Sequence, residues 1–354
     1  MVKGQFDYDV TIVVPVYNGA KFVGQCFQSI LGQKTEHSIQ VVFVNDGSTD
    51  SSEEVIKELM SEYSNVDLAI QENQGLGPAR NTGIEYAAGK YIAFLDVDDH
   101  LKEGHIDRLF QEAEEHDCDI CFGGYTISRN GIETEYPNYY AGKCFDLSDI
   151  HVYYEKIYGS SPSEKVEDLV PVSSCFGLYS TSFLRTSGVE FLPILSEDTV
   201  FNAELAPKAA KIFCSSETGY VYSMDNLQSI TRKYDPRKKE KLSVYFSELI
   251  RVATETEEET GRTDLVLRAQ RKIISNVRGY IIFICGQRQL NSRDRNAEIQ
   301  DLLEKPVVIQ ALDSYPVERL DFKYGLFARL MRSREISLLI AFSKLACLLK
   351  NRRG

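Results

Sequence analysis

Val10-Thr-Ile-Val-Val-Pro-Val16 is an unbroken apolar, largely β-branched run that stops at Asn18-Gly19. The stretch after it, Lys21–Leu31, places Phe22, Phe27, Ile30 and Leu31 at helical spacing. A strand that is apolar on both faces is buried on both faces, as in a parallel sheet covered by helices. The pattern then repeats. Ile39–Val44 predicts a second buried strand ending in NDGSTD, where Ser48, Thr49 and Asp50 offer caps for a helix over Glu53–Tyr63. Asp67–Ile70 predicts a third strand, and Gly75–Ala88 a helix stopped by Gly89. Tyr91–Leu95 predicts a fourth strand running into DVDD, followed by a helix over Glu103–His116 and a fifth strand over Asp119–Ile127. Such alternation implies an α/β fold with a mainly parallel sheet and right-handed crossovers. In open sheets of this kind ligands sit outside the carboxyl ends of the strands. The polar clusters VYN, NDGSTD and DVDD fall at those ends.

Outward from this core the pattern weakens. Residues 130–190 are rich in Tyr, Ser, Gly and Pro and read as long loops with one or two short helices. From Ser196 a helix is expected through EDTVFNAELAPKA, then short strands near Lys211–Cys214 and Tyr220–Ser223, and helices with charged faces from Pro236 on. The expected division is residues 1–222 as one α/β domain, with a nucleotide half at about 8–127 and an acceptor half at about 128–222, and 223–354 as a helical C-terminal region.

The 354 residues, 43% of them hydrophobic, suffice for one large domain or two modest ones. A formal charge of -12 argues against a nucleic-acid binder, whose phosphate contacts need a basic face. No apolar run approaches the roughly 18 residues that cross a bilayer, and MVKGQFDYDV lacks the apolar core of a signal peptide, so a cytoplasmic protein is expected. The eight cysteines are scattered. Cys118 and Cys121 form a CxxC without a second pair at zinc spacing, and read as small residues of a buried strand. Charge is uneven. From Lys323 onward eight Lys or Arg face one acid, a net +7 that leaves −19 to the residues before it.

Four clusters carry chemistry. In DVDD, Asp96 and Asp98 stand at i and i+2 of an extended segment and project to one side, an oxygen-rich pair suited to Mg²⁺ or Mn²⁺ beside a diphosphate. The plain alternative is an acidic turn with Asp99 capping the next helix. Asp46 can accept from the N–H of a pyrimidine base, with Gly47 allowing close approach, although a simple turn explains the same residues. Asn73-Gln-Gly75-Leu-Gly77-Pro-Ala-Arg80-Asn81 fails GxGxxG and follows the third strand, which disfavours a dinucleotide fold. A helix N-terminus with Arg80 near it suits a nucleotide base or phosphate better. Finally, Ser196-Glu197-Asp198 is either a capped helix start or the place of a general base, since a carboxylate is ionised at neutral pH and can take a proton from a sugar hydroxyl.

Together, in this order, the clusters resemble the inverting glycosyltransferase family 2 of GT-A fold, in its bacterial surface-polysaccharide branch. The stretches that carry the likeness are VTIVVPVYNGAKFVGQCFQSILGQ, VVFVNDGSTDSS, NQGLGPARNTGIEYAAGKYIAFLDVDD, SEDTVFN and YVYSMDNLQSIT, covering about residues 8–232. The resemblance implies a Rossmann-like sheet and a hexose moved from a UDP-sugar to a glycan or lipid-linked saccharide. It implies that Val16 and Tyr17, with Pro15, Asn18 and Asp46, hold the uracil. Gly75, Arg80 and Val97 would lie by the nucleotide, with Asp96 on the ribose. Asp98 would hold Mn²⁺ or Mg²⁺. Asp198 would be the base, supported by Glu197. Where the family often has Lys-Leu-Tyr, this chain reads Phe176-Gly177-Leu178-Tyr179. It also has no Trp, so acceptor sugars must stack on Tyr or Phe.

Two other functions fit less well. A nucleotidyltransferase would want a glycine-rich basic loop straight after strand one, where VYNGAKF supplies only Lys21. A non-catalytic glycan-binding protein would not need Asp96, Asp98 and Asp198 together. In the tail, Phe327, Met331, Leu338, Phe342, Leu345 and Leu349 follow helical spacing among basic residues. That pattern suits a helix lying on the anionic inner face of the cell membrane, or equally one packed on the body or on a second subunit.

Overall fold

The structure, a computed structural model, describes residues 6–165, 170–224, 234–287 and 289–351. The chain divides into two compact units, Met1–Tyr153 with Val170–Arg232, and Tyr154–Leu169 with Lys233–Gly354. The segment Tyr154–Leu169, expected in the acceptor half, thus clusters with the helices.

The first unit opens with β1 (Tyr8–Val16), α1 (Ala20–Leu31), β2 (Ile39–Asp46), α2 (Ser52–Glu62), β3 (Val66–Gln71), α3 (Leu76–Tyr86) and β4 (Gly89–Phe94). All four strands run parallel, in spatial order β3-β2-β1-β4. Val10 through Val16 of β1 are buried, as the two-faced apolar run requires. Gly89 is the first residue of β4 rather than a helix stop, since α3 ends at Tyr86.

Next come β5 (His100–Leu101), α4 (His105–His116), β6 (Ile120–Phe122), β7 (Tyr125–Arg129), β8 (Ile132–Tyr136), β9 (Lys143–Asp146), α5 (His151–Tyr158), β10 (Gly177–Ser180), α6 (Thr181–Ser187), α7 (Glu197–Leu205), β11 (Lys211–Cys214) and β12 (Tyr220–Ser223). The large sheet continues from β4 as β10-β6-β11-β9. Both β10 and β9 pair antiparallel with their neighbours, so six of the eight strands share one direction. A second sheet has the order β5-β12-β7-β8.

Two expectations change here. The fifth strand is two, because at Gly123-Gly124 the chain leaves one sheet for the other. The Gly123 N–H donates to the Phe176 carbonyl (2.7 Å) and the Gly124 N–H to the Glu217 carbonyl (2.7 Å). A Cβ on Gly124 would overlap the backbone of Tyr136 and Pro137, so the crossing requires glycine. The region read as loops holds β8, β9 and β10, strands too short or too polar to show a period. Cys118 and Cys121 are buried thiols at β6, as expected.

The second unit adds α8 (Lys238–Thr260), α9 (Leu265–Gly286), α10 (Ser292–Leu303), α11 (Pro306–Ser314), α12 (Phe322–Arg332) and α13 (Ile336–Asn351). The tail is two helices rather than one, broken where Arg334 takes a left-handed φ of 56°. Phe327 and Met331 are buried, while Leu338 and Phe342 are exposed and Leu339 takes the inner side. Leu345 and Leu349 lie where no side chain is described. Among the described residues no helix is long and apolar enough to cross a membrane.

Candidate active site

The carboxyl ends of β1, β2, β3 and β4 share one edge of the sheet, and the loops that leave it are tied to each other. Register places Val16 of β1 beside Asn45 of β2. The Asn18 N–H donates to Ser48 Oγ (3.0 Å), and Asn18 Oδ1 accepts from the Thr49 N–H (2.8 Å). Asp50 does not serve α2 alone. Its Oδ1 accepts from the Ser52 N–H (3.0 Å), and its Oδ2 accepts from Ala20 N–H, the first residue of α1 (3.2 Å). Pro15 and Val16 are buried, Tyr17 is exposed on this rim, and Val97 packs against Gly19.

Asp46 is buried and fastens the loop after β3. Its Oδ1 accepts from Gln71 Nε2 (2.8 Å) and the Gln74 N–H (2.9 Å), and its Oδ2 from the Gly75 N–H (2.9 Å). Gly47, with φ of +69°, turns so close that a Cβ would sit 2.7 Å from the Asn73 nitrogen. Gly75, at φ +95°, leads into α3.

Arg80 on α3 is 0% exposed. One guanidinium nitrogen donates to Glu197 Oε1 (2.6 Å) and Asp198 Oδ1 (2.9 Å), the other to Asp96 Oδ1 (2.9 Å) and Cys175 Sγ (3.5 Å). Both terminal nitrogens are thus held by three acids and Cys175, while Nε is buried without a hydrogen-bond partner among the described residues. The arrangement joins four positions that the sequence separates widely, Arg80, Asp96, Glu197 and Asp198. Asp198 also accepts from Ser174 Oγ (2.6 Å) and Ser173 Oγ (3.4 Å). Ser196 takes a left-handed φ of 57° and its side chain makes no cap bond, so the turn aims Glu197 and Asp198 inward rather than capping α7. Burial, with the Asp198 carboxylate beside it, pushes Glu197 up to about 7 against the pull of Arg80.

Asp99 is not a helix cap. It is buried, accepts from the Tyr220 hydroxyl (2.5 Å) and the Ser223 N–H (2.8 Å), and burial beside Asp96 holds it well above the usual carboxylate range. The Asp96 N–H donates to the same Tyr220 oxygen (3.4 Å). Sequence reasoning missed Tyr220, Ser173, Ser174 and Cys175. The third acid of DVDD and the alternating Tyr of YVYS were the signals at hand for Asp99 and Tyr220. PVSSCFG, read as loop, carried none. The Asp225–Thr231 part of YVYSMDNLQSIT lies outside the described residues.

Among the described residues no three His, Cys, Asp or Glu converge to hold a metal unaided. What DVDD offers is hard oxygen, with Asp96 and Asp98 partly exposed at the rim. That donor set fits a small divalent cation bound by one or two carboxylates and completed by substrate phosphates.

Residues 11–176 match the profile described as Glycosyl transferase family 2. The glycosyltransferase GlyA of Streptococcus pneumoniae is 30% identical over 223 residues, 61% of this chain and 30% of GlyA. A poly(ribitol-phosphate) beta-glucosyltransferase of Bacillus spizizenii is 26% identical over 225 residues, 60% of this chain and 32% of the relative. The matched stretch thus spans about a third of these relatives. A crystal structure of S. aureus TarS 1-349 in complex with UDP-GlcNAc superposes with a TM-score of 0.66 at 16% identity, covering 95% of this chain and 90% of that one, a likeness of fold. Residues 11–176, which carry β1–β4, their strand-end loops and the DVDD carboxylates, match glycosyl transferase family 2.

Proposed function

We propose that this chain transfers a hexose from a UDP-sugar, with inversion, to a hydroxyl of a glycan or lipid-linked acceptor in cell-surface polysaccharide synthesis. The observation that carries the reading is the buried Arg80 bonded at 2.6–2.9 Å to Asp96, Glu197 and Asp198, at the strand ends where a nucleotide would lie. It is supported by the family match and by the UDP-GlcNAc held by a protein of the same fold.

In this reading Tyr17 and Val16 lie against the uracil. Asp46 keeps the β2 and β3 loops closed around it, with Pro15, Asn18, Gly75 and Val97 shaping the pocket. Asp96 accepts from a ribose hydroxyl while Arg80 fixes its other side. Asp98 would hold Mn²⁺ or Mg²⁺, whose charge offsets that of the departing diphosphate. Asp198, held in place by Arg80 and Ser174, accepts the acceptor hydroxyl's proton as that oxygen bonds to the anomeric carbon. The bond to the diphosphate breaks with its electron pair leaving on UDP, and a single in-line displacement inverts the centre. Glu197, more buried, positions Arg80 and is not the base. The residues before 223 form the transferase. The basic tail, with Leu338 and Phe342 exposed, rests on the anionic inner face of the membrane that presents lipid-linked acceptors.

The test is turnover of UDP-glucose, UDP-galactose and their N-acetyl forms with Mn²⁺, read as UDP release. Asp98→Asn and Asp198→Asn should each lower it at least a hundredfold while far-UV circular dichroism stays unchanged. Full turnover in either variant contradicts the assignment.

A further inference from the structure

The face of the small sheet nearest the carboxylates is a row of aromatic rings. Pairing sets Tyr125 against Tyr136, Val221 against Thr126 and Tyr222 against Ile127, so Tyr220, Tyr125 and Tyr136 fall in one row on one face. The rings touch in sequence. Tyr136 stacks on Tyr125 (5.2 Å, 13°), Tyr125 stacks on Phe176 (4.5 Å, 6°), and Phe176 meets Tyr220 edge-on (5.3 Å, 66°).

One end of the row is anchored in the active site, where the Tyr220 hydroxyl bonds Asp99 and the Asp96 N–H. Two residues before Phe176, Ser174 bonds Asp198. Exposure climbs along the row from 1% at Tyr220 to 42% at Tyr136. The outer strand β8 is an edge with every residue exposed. It is braced from the far side by Lys102 on Glu133 (3.0 Å) and Glu135 (3.3 Å).

An apolar core would bury its last ring, and a peptide groove would offer unpaired depth. Tyr125 is stacked with both Tyr136 and Phe176, so the half-exposed Tyr136 at the end of the stack is the ring left to meet the C–H face of a pyranose whose hydroxyls point outward. We propose that the Tyr136–Tyr125–Phe176 row is the acceptor platform, with a pyranose ring of the acceptor glycan stacked on Tyr136 and the chain leading inward to Asp198. This deepens the transferase reading and rests on it.

The probes are methyl β-glucoside, methyl β-galactoside, methyl N-acetyl-β-glucosaminide and cellobiose, followed by saturation-transfer NMR on the full chain. A UDP thermal shift in Mn²⁺ is measured on every variant. Wild type should transfer saturation to at least one glycoside. Tyr136→Ala should lose at least fourfold of that signal, Tyr136→Trp should restore it, and Leu147→Ala, an exposed site on the turn after β9, should keep it. Because the chain has no Trp, Tyr136→Trp also gives a single emission that the bound glycoside should shift. No transfer to any of the four probes, or equal transfer in Tyr136→Ala, overturns the platform. A missing UDP shift in wild type instead overturns the donor reading beneath it.

Discussion

Replacing Arg80 by Met tests the centre of the site most directly. Methionine has nearly the same length, so packing changes little, and the loss is that of one cation from among three acids. Arg80 is fully buried and its three ion pairs measure 2.6, 2.9 and 2.9 Å. Removing one partner of a buried pair costs about 3–5 kcal/mol, because the remaining charge is left uncompensated. The side chains of Asp96 and Asp198 are 30% and 22% exposed and keep part of their hydration, which points to the lower end, about 3 kcal/mol at pH 8. For a unit of this size that is roughly 6–12 °C of melting temperature. At pH 5.5 the loss should shrink by at least about 1 kcal/mol. Glu197 already sits at about 7 with the guanidinium in place, so without it the carboxyl is protonated in acid and one of three charges disappears. Urea unfolding of wild type, Arg80→Met and Arg80→Lys at the two pH values reads this out. A loss under about 1 kcal/mol, or the same loss at both pH values, refutes the account of Arg80 as the buried counter-charge.

Two further outcomes follow from the same structure. Glu197 binds its proton more tightly folded than unfolded, so wild-type stability should fall as pH rises from about 4.5 to 7 and level off above. In Glu197→Gln that decline, about 3 kcal/mol at most, should be missing from melting curves, and parallel curves for the two proteins would refute it. Reversing Lys350, Arg352 and Arg353 to Glu should abolish flotation of the chain on phosphatidylglycerol vesicles. Undiminished flotation, or a loss of dimer instead, removes the tail from the membrane.

The first 127 residues were legible because their signals are local. A strand buried on both faces is a continuous apolar run, and each active loop follows such a run directly, as NDGSTD follows Ile39–Val44. Residues 128–222 were not, because their strands are fixed by partners distant in sequence. Gly177–Ser180 enters the large sheet between β4 and β6, eighty residues or more from its neighbour β4, and nothing in GLYS has a period. Likewise DVDD announced carboxylates, but only the tertiary structure shows that Asp99 turns inward to Tyr220, and that the buried Arg80 holds three acids. Composition gives the residues of a site. Which of them face substrate depends on which are spent on each other.

That expenditure has a consequence for donor binding. Asp96, Glu197 and Asp198 surround the guanidinium of Arg80, and Asp99 lies near Asp96 and Asp98. Even with Asp99 held well above the usual carboxylate range and Glu197 pushed up to about 7, the acids outweigh this cation. In the proposed reaction a UDP-sugar arrives with about two negative charges on its diphosphate and UDP leaves with about three, so Coulomb repulsion would oppose both unless a counter-charge comes with them. Tight nucleotide binding should therefore require Mn²⁺ or Mg²⁺. In calorimetry UDP should bind at least tenfold more weakly in EDTA than in Mn²⁺, and Asp98→Asn should erase the difference by lowering the affinity in Mn²⁺. Equal affinity in EDTA and Mn²⁺ would show that some cation other than Arg80 meets the phosphates, and the charge argument would fail.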